Sequence, residues 1–259
     1  MTTPVLSRSD AAPWRPGIER GPAMRLAAAE YARCAELMAR LEPRQWSAPT
    51  ANTGWDVRDT AGHMLGMVQM MSSLPQLLGQ MATSMRQARK AKAPVSIDFL
   101  TALQVRRNAG LTTAGLINLW RELAPKAVRG RSRLPGFLRS RAMPEAQLVG
   151  GNLERWTFAY LVDVILTRDP FMHRLDICAA TGLDPRPTAE HDGRLVDDVV
   201  REWAQRHGQP YNLELTGPAG GVWDTGAGAE RITLDALEFC RIVSGRGEAA
   251  GLLTTPVPF

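Results

Sequence analysis

The densest set of chemistry-bearing side chains is Leu166-Thr167-Arg168-Asp169-Pro170-Phe171-Met172-His173-Arg174-Leu175-Asp176-Ile177. Two carboxylates, an imidazole and two guanidiniums interrupt an otherwise apolar helical run. On an α-helix Asp169, His173 and Asp176 fall at i, i+4 and i+7, so all three leave one face. A carboxylate and an imidazole one turn apart can hold a divalent metal. A purely structural role competes with this one. Pro170 suits the first turn of a helix, which would make Asp169 an N-cap and leave His173 solvated.

A second set lies upstream, at Gly54-Trp55-Asp56-Val57-Arg58-Asp59-Thr60-Ala61-Gly62-His63. The chain has only four histidines. His191 and His207 fall at the two ends of one helical run, where capping or solvent exposure is the simpler role. His63 and His173 lie within apolar helical runs. Each is either a buried imidazole satisfied by a backbone carbonyl, or part of a three-ligand set with Asp169. Three N/O ligands leave Zn²⁺ an open fourth position, the catalytic rather than the structural pattern. Asp176 could then orient His173 through its second ring nitrogen.

These residues need helices to carry them. Residues 1–20 read as an irregular arm, with prolines 13, 16 and 22 breaking regular structure. Apolar residues recur at helical spacing from Ala23 to Leu41. A second helix opens at Asp56, an N-cap with Asp59 three residues on. It continues through Met64, Met67, Met70, Met71, Met81 and Met85, with a kink expected at Pro75. A methionine stripe fills a core or surrounds an apolar ligand of irregular shape. A third helical stretch, Ile97 to Val128, is interrupted at Asn108-Ala109-Gly110 and recapped by Thr112 or Thr113. The basic run Arg129-Gly130-Arg131-Ser132-Arg133 opens a connection to Gly151 and is expected to offset a helix dipole or stay solvated. The last helix, Leu153 to Ala180, ends at Thr181-Gly182.

A four-helix bundle over residues 21–184 is the expected architecture. After Asp184-Pro185-Arg186-Pro187 the pattern changes. One helix (Ala189 to Arg206), strands at Tyr211 to Thr216, Val222 to Thr225 and Glu230 to Thr233, a helix at Asp235 to Val243 and a last strand at Leu252 to Thr255 make a small α+β domain over 185–259.

Net charge is +5, but the arginines are scattered and aromatic residues make up only 6%. No basic stripe alternates with stacking residues, so nucleic acid is not the expected partner. Cys34, Cys178 and Cys240 lack metal-knuckle or disulfide spacing, which suits a reducing compartment. With no apolar run long enough for a membrane span and no signal-peptide pattern, a soluble cytoplasmic protein is expected.

Gly54-Trp55-x-Val57-Arg58-Asp59-x3-His63 and Arg168-Asp169-x2-Met172-His173-Arg174-x-Asp176-Ile177 resemble the two metal motifs of the mycothiol-dependent maleylpyruvate isomerase family. That family belongs to the DinB-like superfamily of metal-binding four-helix bundles. The resemblance extends through Ala102-Leu103-Gln104-Val105-Arg106 and Thr188-Ala189-Glu190-His191-Asp192-Gly193-Arg194. It reaches Leu215-Thr216-Gly217-Pro218, Glu238-Phe239-Cys240-Arg241 and Ser244-Gly245-Arg246, so it covers most residues from about 20 to 259. It implies a divalent metal, usually Zn²⁺, held by His63, Asp169 and His173. The characterised isomerase has Glu where Asp169 stands, one methylene longer. The resemblance also implies a smaller C-terminal domain of sterol-carrier-like fold, with a catalytic arginine matched here to Arg246.

A metal that binds a thiol deprotonates it, although a free thiol of pKa about 8.5 is mostly protonated at neutral pH. The thiolate attacks an electrophilic carbon. In an isomerase it adds to a double bond, rotation follows and it leaves; in a transferase it stays. No cysteine lies in the metal motifs, so the thiol is expected from a small molecule such as mycothiol, the other partner being a small electrophile. The rival reading is a non-catalytic protein holding an apolar molecule in a Met-lined bundle cavity. A basic regulatory or interaction domain is a third.

Overall fold

The computed structural model describes residues 12–226 and 231–259. They cluster into two compact units. One runs to Leu148 and resumes over Leu153–Leu183; the other comprises Val149–Asn152 and Asp184–Phe259.

In the first unit, α1 (Arg20–Arg40) is followed by a 3-10 turn, Pro43–Ser47, and by α2 (Val57–Ser72). Next come α3 (Leu74–Ala91), α4 (Ile97–Asn108), α5 (Thr113–Ser132) and the single turn α6 (Gly136–Arg139). Strands β1 (Gln147–Val149) and β2 (Asn152–Glu154) pair with each other and lead to a last helical run. That run is built from α7 (Phe158–Tyr160), a π-helical turn (Leu161–Ile165) and α8 (Leu166–Thr181). α1 and α2 each pack against both α5 and α8, which makes these four the bundle; α3 and α4 pack onto α2 and each other. Met38, Met64, Leu65, Leu116, Trp120 and Ile177 share the core cluster. Burying each such side chain contributes about 1.5–3 kcal/mol. The Trp120 Nε1–H is not stranded there, since it donates to the Tyr31 carbonyl at 2.9 Å.

Side-chain caps set the helix starts. The Asp59 amide donates to the Asp56 carboxylate at 2.8 Å, and the Gly115 amide to the Thr112 hydroxyl at 3.0 Å. Gly182, at φ 71°, closes α8 in the left-handed conformation that glycine adopts without a Cβ penalty. The expected kink at Pro75 is a break instead. Ser73 caps a new helix and Pro75 falls in its first turn, where a missing N–H costs nothing. Pro22 is likewise accommodated in the first turn of α1, which begins at Arg20 rather than Ala23. Within the expected arm, residues 1–11 lie outside the described residues, and Trp14 is tied down by the backbone. Its amide donates to the Arg155 carbonyl at 2.8 Å and its carbonyl accepts from the Thr157 amide at 3.0 Å.

Of the two expectations for the basic run, Arg131 meets the first, lying in the last turn of α5 where a cation suits the helix dipole, but it departs from the second because it is fully buried. The reason lies in the helix opposite. The Leu166 amide reaches back five residues to the Leu161 carbonyl, so Val162 O forgoes its α-helical donor. Leu166 O faces Pro170 four residues on, which has no N–H. Arg131 supplies both, donating from Nε to Val162 O at 2.8 Å and from Nη1 to Leu166 O at 3.0 Å. Its remaining bonds go to the hydroxyls of Tyr31 and Thr167.

In the second unit, α9 (Asp192–His207) packs on α10 (Ala236–Val243), and α10 packs on a sheet of β3 (Asn212–Thr216), β4 (Gly221–Asp224) and β5 (Arg231–Asp235). Strand order is β4-β3-β5, with β3 antiparallel to β4 and parallel to β5. Trp203 anchors this core, with Phe239 and Tyr211 edge-on at 5.4 and 5.2 Å. Glu230, placed in a strand by its pattern, lies outside the described residues. The expected strand Leu252 to Thr255 is a 3-10 turn, because Leu253 N–H bonds to Ala250 O at 3.1 Å while Leu252 O accepts from Trp203 Nε1, also at 3.1 Å.

Removing Arg131 should therefore cost more than an ordinary surface arginine. In Arg131→Met two buried carbonyls lose their donors, at about 1–3 kcal/mol each. The expected outcome is destabilisation of about 2–5 kcal/mol in urea unfolding, against less than about 0.5 kcal/mol for Arg133→Met outside that network.

Candidate metal centre

Two bundle helices deliver the candidate ligands. α2 carries His63, two turns after the Asp56 cap. α8 carries Asp169 and His173 one turn apart. Asp169 Oδ1 lies 3.3 Å from His63 Nε2 and 3.4 Å from His173 Nε2. One donor atom from each of the three residues falls within 4.8 Å of the others. The two imidazoles meet edge to face, centroids 5.1 Å apart at 86°. The histidine side chains are 4% and 7% exposed and Asp169 14%, so the set lies just below the surface with Asp169 outermost.

Asp169 is not a helix cap. Ile165, which precedes α8, is itself helical, and the π-turn joins α7 to α8 without a break. The Asp169 carboxylate consequently faces two imidazoles instead of a row of free amides.

Each imidazole has an acceptor at its other nitrogen. His173 Nδ1 lies 3.2 Å from Asp176 Oδ2, which also accepts from Asn52 Nδ2 at 3.3 Å. His63 Nδ1 lies 2.8 Å from Gln104 Oε1. With both Nδ1 atoms engaged, both Nε2 atoms are turned toward Asp169. Trp55 packs beside His63, ring centroids 5.3 Å apart. Below the set, buried Glu30 of α1 accepts from Arg174 Nε of α8 at 2.6 Å, clamping α8 one residue past His173.

The electrostatics reflect this crowding. Burial penalises the Asp169 carboxylate, but His173 and His63 beside it prevail and hold it well below the usual carboxylate range. Burial also disfavours the His173 cation, yet Asp169, with Asp176 behind the ring, raises its pKa to about 9. Two histidines and a carboxylate are a donor set suited to Zn²⁺ or a similar divalent ion.

The sequence reading singled out Asp176 but missed Asn52 and the role of Gln104. Gln104 follows Leu100 and precedes Asn108 at four-residue spacing on the inner face of α4, and all three are buried. A polar residue recurring on a buried stripe was the available signal. Arg246 belongs to the second unit. It lies half-buried in the turn closing α10, its amide donating to the Arg241 carbonyl at 2.8 Å. His207 also lies there, at the end of α9, its Nδ1 accepting from the Gln209 amide at 2.9 Å.

A family model described as "Mycothiol maleylpyruvate isomerase N-terminal domain" matches residues 27–178, a stretch that includes His63, Asp169 and His173. Among solved structures, the chain is similar to the crystal structure of the mycothiol-dependent maleylpyruvate isomerase. Identity is 13% and TM-score 0.55, over 89% of this chain and 90% of that one. A histidine-to-alanine mutant of a mycothiol-dependent maleylpyruvate isomerase matches at 12% identity and TM-score 0.52, with the same coverage of 89% and 90%. At these identities the likeness speaks to the fold alone. No curated protein matches the chain.

The metal-free protein should show a pH dependence set by this cluster. His173 is raised from 6.5 to about 9, so its contribution to stability is complete below the unfolded value and is lost as pH rises through about 9. Asp169 contributes above its unfolded value near 3.8 and loses that contribution only in acid. The midpoint of thermal unfolding without metal should therefore fall between about pH 7 and pH 10. His173→Gln should flatten that slope.

Proposed function

The chain belongs to the mycothiol maleylpyruvate isomerase N-terminal domain family, and from that premise we propose a metal-dependent enzyme that uses mycothiol or a similar low-molecular-weight thiol. It transfers the thiol to a small electrophile or isomerises that electrophile. The observation that carries this reading is the convergence of His63, Asp169 and His173 donor atoms within 4.8 Å.

His63 and His173 would hold the ion through Nε2 and Asp169 through a carboxylate oxygen. A bound divalent ion supplies a Lewis acid that takes up a thiol as thiolate at neutral pH. Asp176 and Gln104 keep the two rings turned inward by accepting at Nδ1. The chain's own cysteines are poorly suited to replace an external thiol. Cys34, Cys178 and Cys240 are all buried. Burial, reinforced by neighbouring Glu30, pushes the Cys34 thiol well up. Arg246 is assigned to stabilising negative charge that develops on the electrophile.

The rival use of the bundle, as a carrier with a Met-lined cavity, has less support. Met64 and Met70 are buried, Met64 within the core cluster. A groove of about 590 Å³ does open between α1 and α5, but its lining is Ala28, Ala32, Ala35, Tyr31, Trp120 and neighbours, with no methionine.

Metal analysis with a mycothiol-conjugation screen tests the proposal. The wild-type protein should carry one divalent ion and consume thiol in the presence of an electrophile; absence of both would overturn it. Asp169→Asn should keep the fold, since Asp169 caps no helix, yet lose metal affinity by at least about 100-fold, because a neutral amide is a poor Zn²⁺ ligand. Arg246→Ala should leave metal content unchanged and lower the rate of thiol addition by about 100-fold, the usual cost of removing one charge-stabilising donor.

A further inference from the structure

α3 packs in an unusual sense. Its buried residues are Gln80, Ser84 and Ala88, whereas Leu74 and Leu78 are 66% and 59% exposed. An amphipathic helix ordinarily turns its leucines inward. Here the inward polar face meets Gln104 of α4, and both glutamines are fully buried.

The hydrogen bonds of these glutamines can be oriented from one fixed point. The Gly66 backbone carbonyl only accepts, so the Gln80 group 3.2 Å from it must be Nε2. Gln80 Oε1 therefore faces Gln104 and accepts from its Nε2 at 3.0 Å. The second proton of that nitrogen is directed at Met67 Sδ, 3.1 Å away. Gln104 Oε1 is then left facing His63 Nδ1 at 2.8 Å, and an oxygen there requires Nδ1 to carry a proton. In a neutral, metal-binding imidazole the lone pair then falls to Nε2, the atom that faces Asp169. Gly66 also makes room for the relay, since a Cβ at that position would lie 2.4 Å from both Cβ and Cγ of Gln104.

We propose that Gln104, oriented by Gln80 against the Gly66 carbonyl, is a positioning residue that fixes the tautomer and ring orientation of His63 for metal binding. This rests on the reading of His63 as a metal ligand. α3 and α4, which lie outside the four-helix bundle, thus act on the site through the amide relay.

The test is Zn²⁺ affinity of the full chain, measured by competition with a chromophoric chelator, together with unfolding of the metal-free forms. Gln104→Met removes the acceptor and should weaken Zn²⁺ binding by about 10–100-fold. Gln104→Glu keeps an acceptor for Nδ1–H but buries a charge against Gln80 Oε1. It should be less stable than Gln104→Met without metal, yet bind Zn²⁺ more tightly than Gln104→Met does. A merely structural role puts stability and affinity in the same order, which would overturn the proposal. Should Gln104→Met fail to fold, Gln80→Met frees the Gln104 amide to rotate, with an expected loss of about tenfold. Wild-type affinity in the folded variant overturns the positioning role alone. Failure of the wild-type protein itself to bind Zn²⁺ overturns the metal reading, and this inference with it.

Discussion

The helix that presents Asp169 and His173 departs twice from its own hydrogen-bond ladder, and the guanidinium of Arg131 repairs both departures. It reaches Val162 O and Leu166 O from the last turns of α5. Burying a charge costs several kcal/mol even after relaxation. The offset comes from hydrogen bonds to two carbonyls and two hydroxyls, with the Tyr31 ring 6.0 Å from the guanidinium carbon. An ammonium or an amide in that place would satisfy fewer of these oxygens, because only a guanidinium spreads five donors across a plane.

That repair has a geometric consequence. A π-turn accommodates one residue more than an α-turn, so it rotates everything beyond it by roughly 100° about the helix axis. The face carrying Asp169 and His173 is set by this rotation, and the Glu30–Arg174 pair then clamps α8 to α1 just past His173. Pro170, which would break an ordinary buried helix, is tolerated because the carbonyl it strands has a donor from another element. Departures of this kind persist where surrounding structure over-determines them, and they cluster at functional sites.

The legible part of the molecule follows from periodicity. Asp169 and His173 are one turn apart, and His63 sits at the same depth in another apolar helix, so their types and spacing were enough to suggest convergence. The Asp56, Thr112 and Gly182 caps were readable because each works through its own side chain or its own φ. Less was readable where the partner lay elsewhere in the chain. Arg131 looks like a solvated basic residue at a helix end until the orphaned carbonyls of the last helix are known. Pro75 reads as a kink unless Ser73 is recognised as a cap. Gln80 and Gln104 stand 24 residues apart, and no local pattern says that their amides meet. α3 in particular misleads, since Leu74 and Leu78 mark its outward face.

The two imidazoles are held by different chemistry, and the difference bears on charge. His173 leans on a carboxylate, Asp176, shared with Asn52; His63 leans on a neutral amide. A carboxylate behind each ring would make both more basic, but it would also add a second negative charge just outside the ligand set. With Asp169 among the three proposed ligands and Asp176 behind His173, a bound divalent ion would already face two negative charges. A neutral relay behind His63 would avoid a third negative charge while still fixing the ring. The polar inner faces of α3 and α4 would thus orient His63 without adding a further negative charge to repel an anionic sulfur.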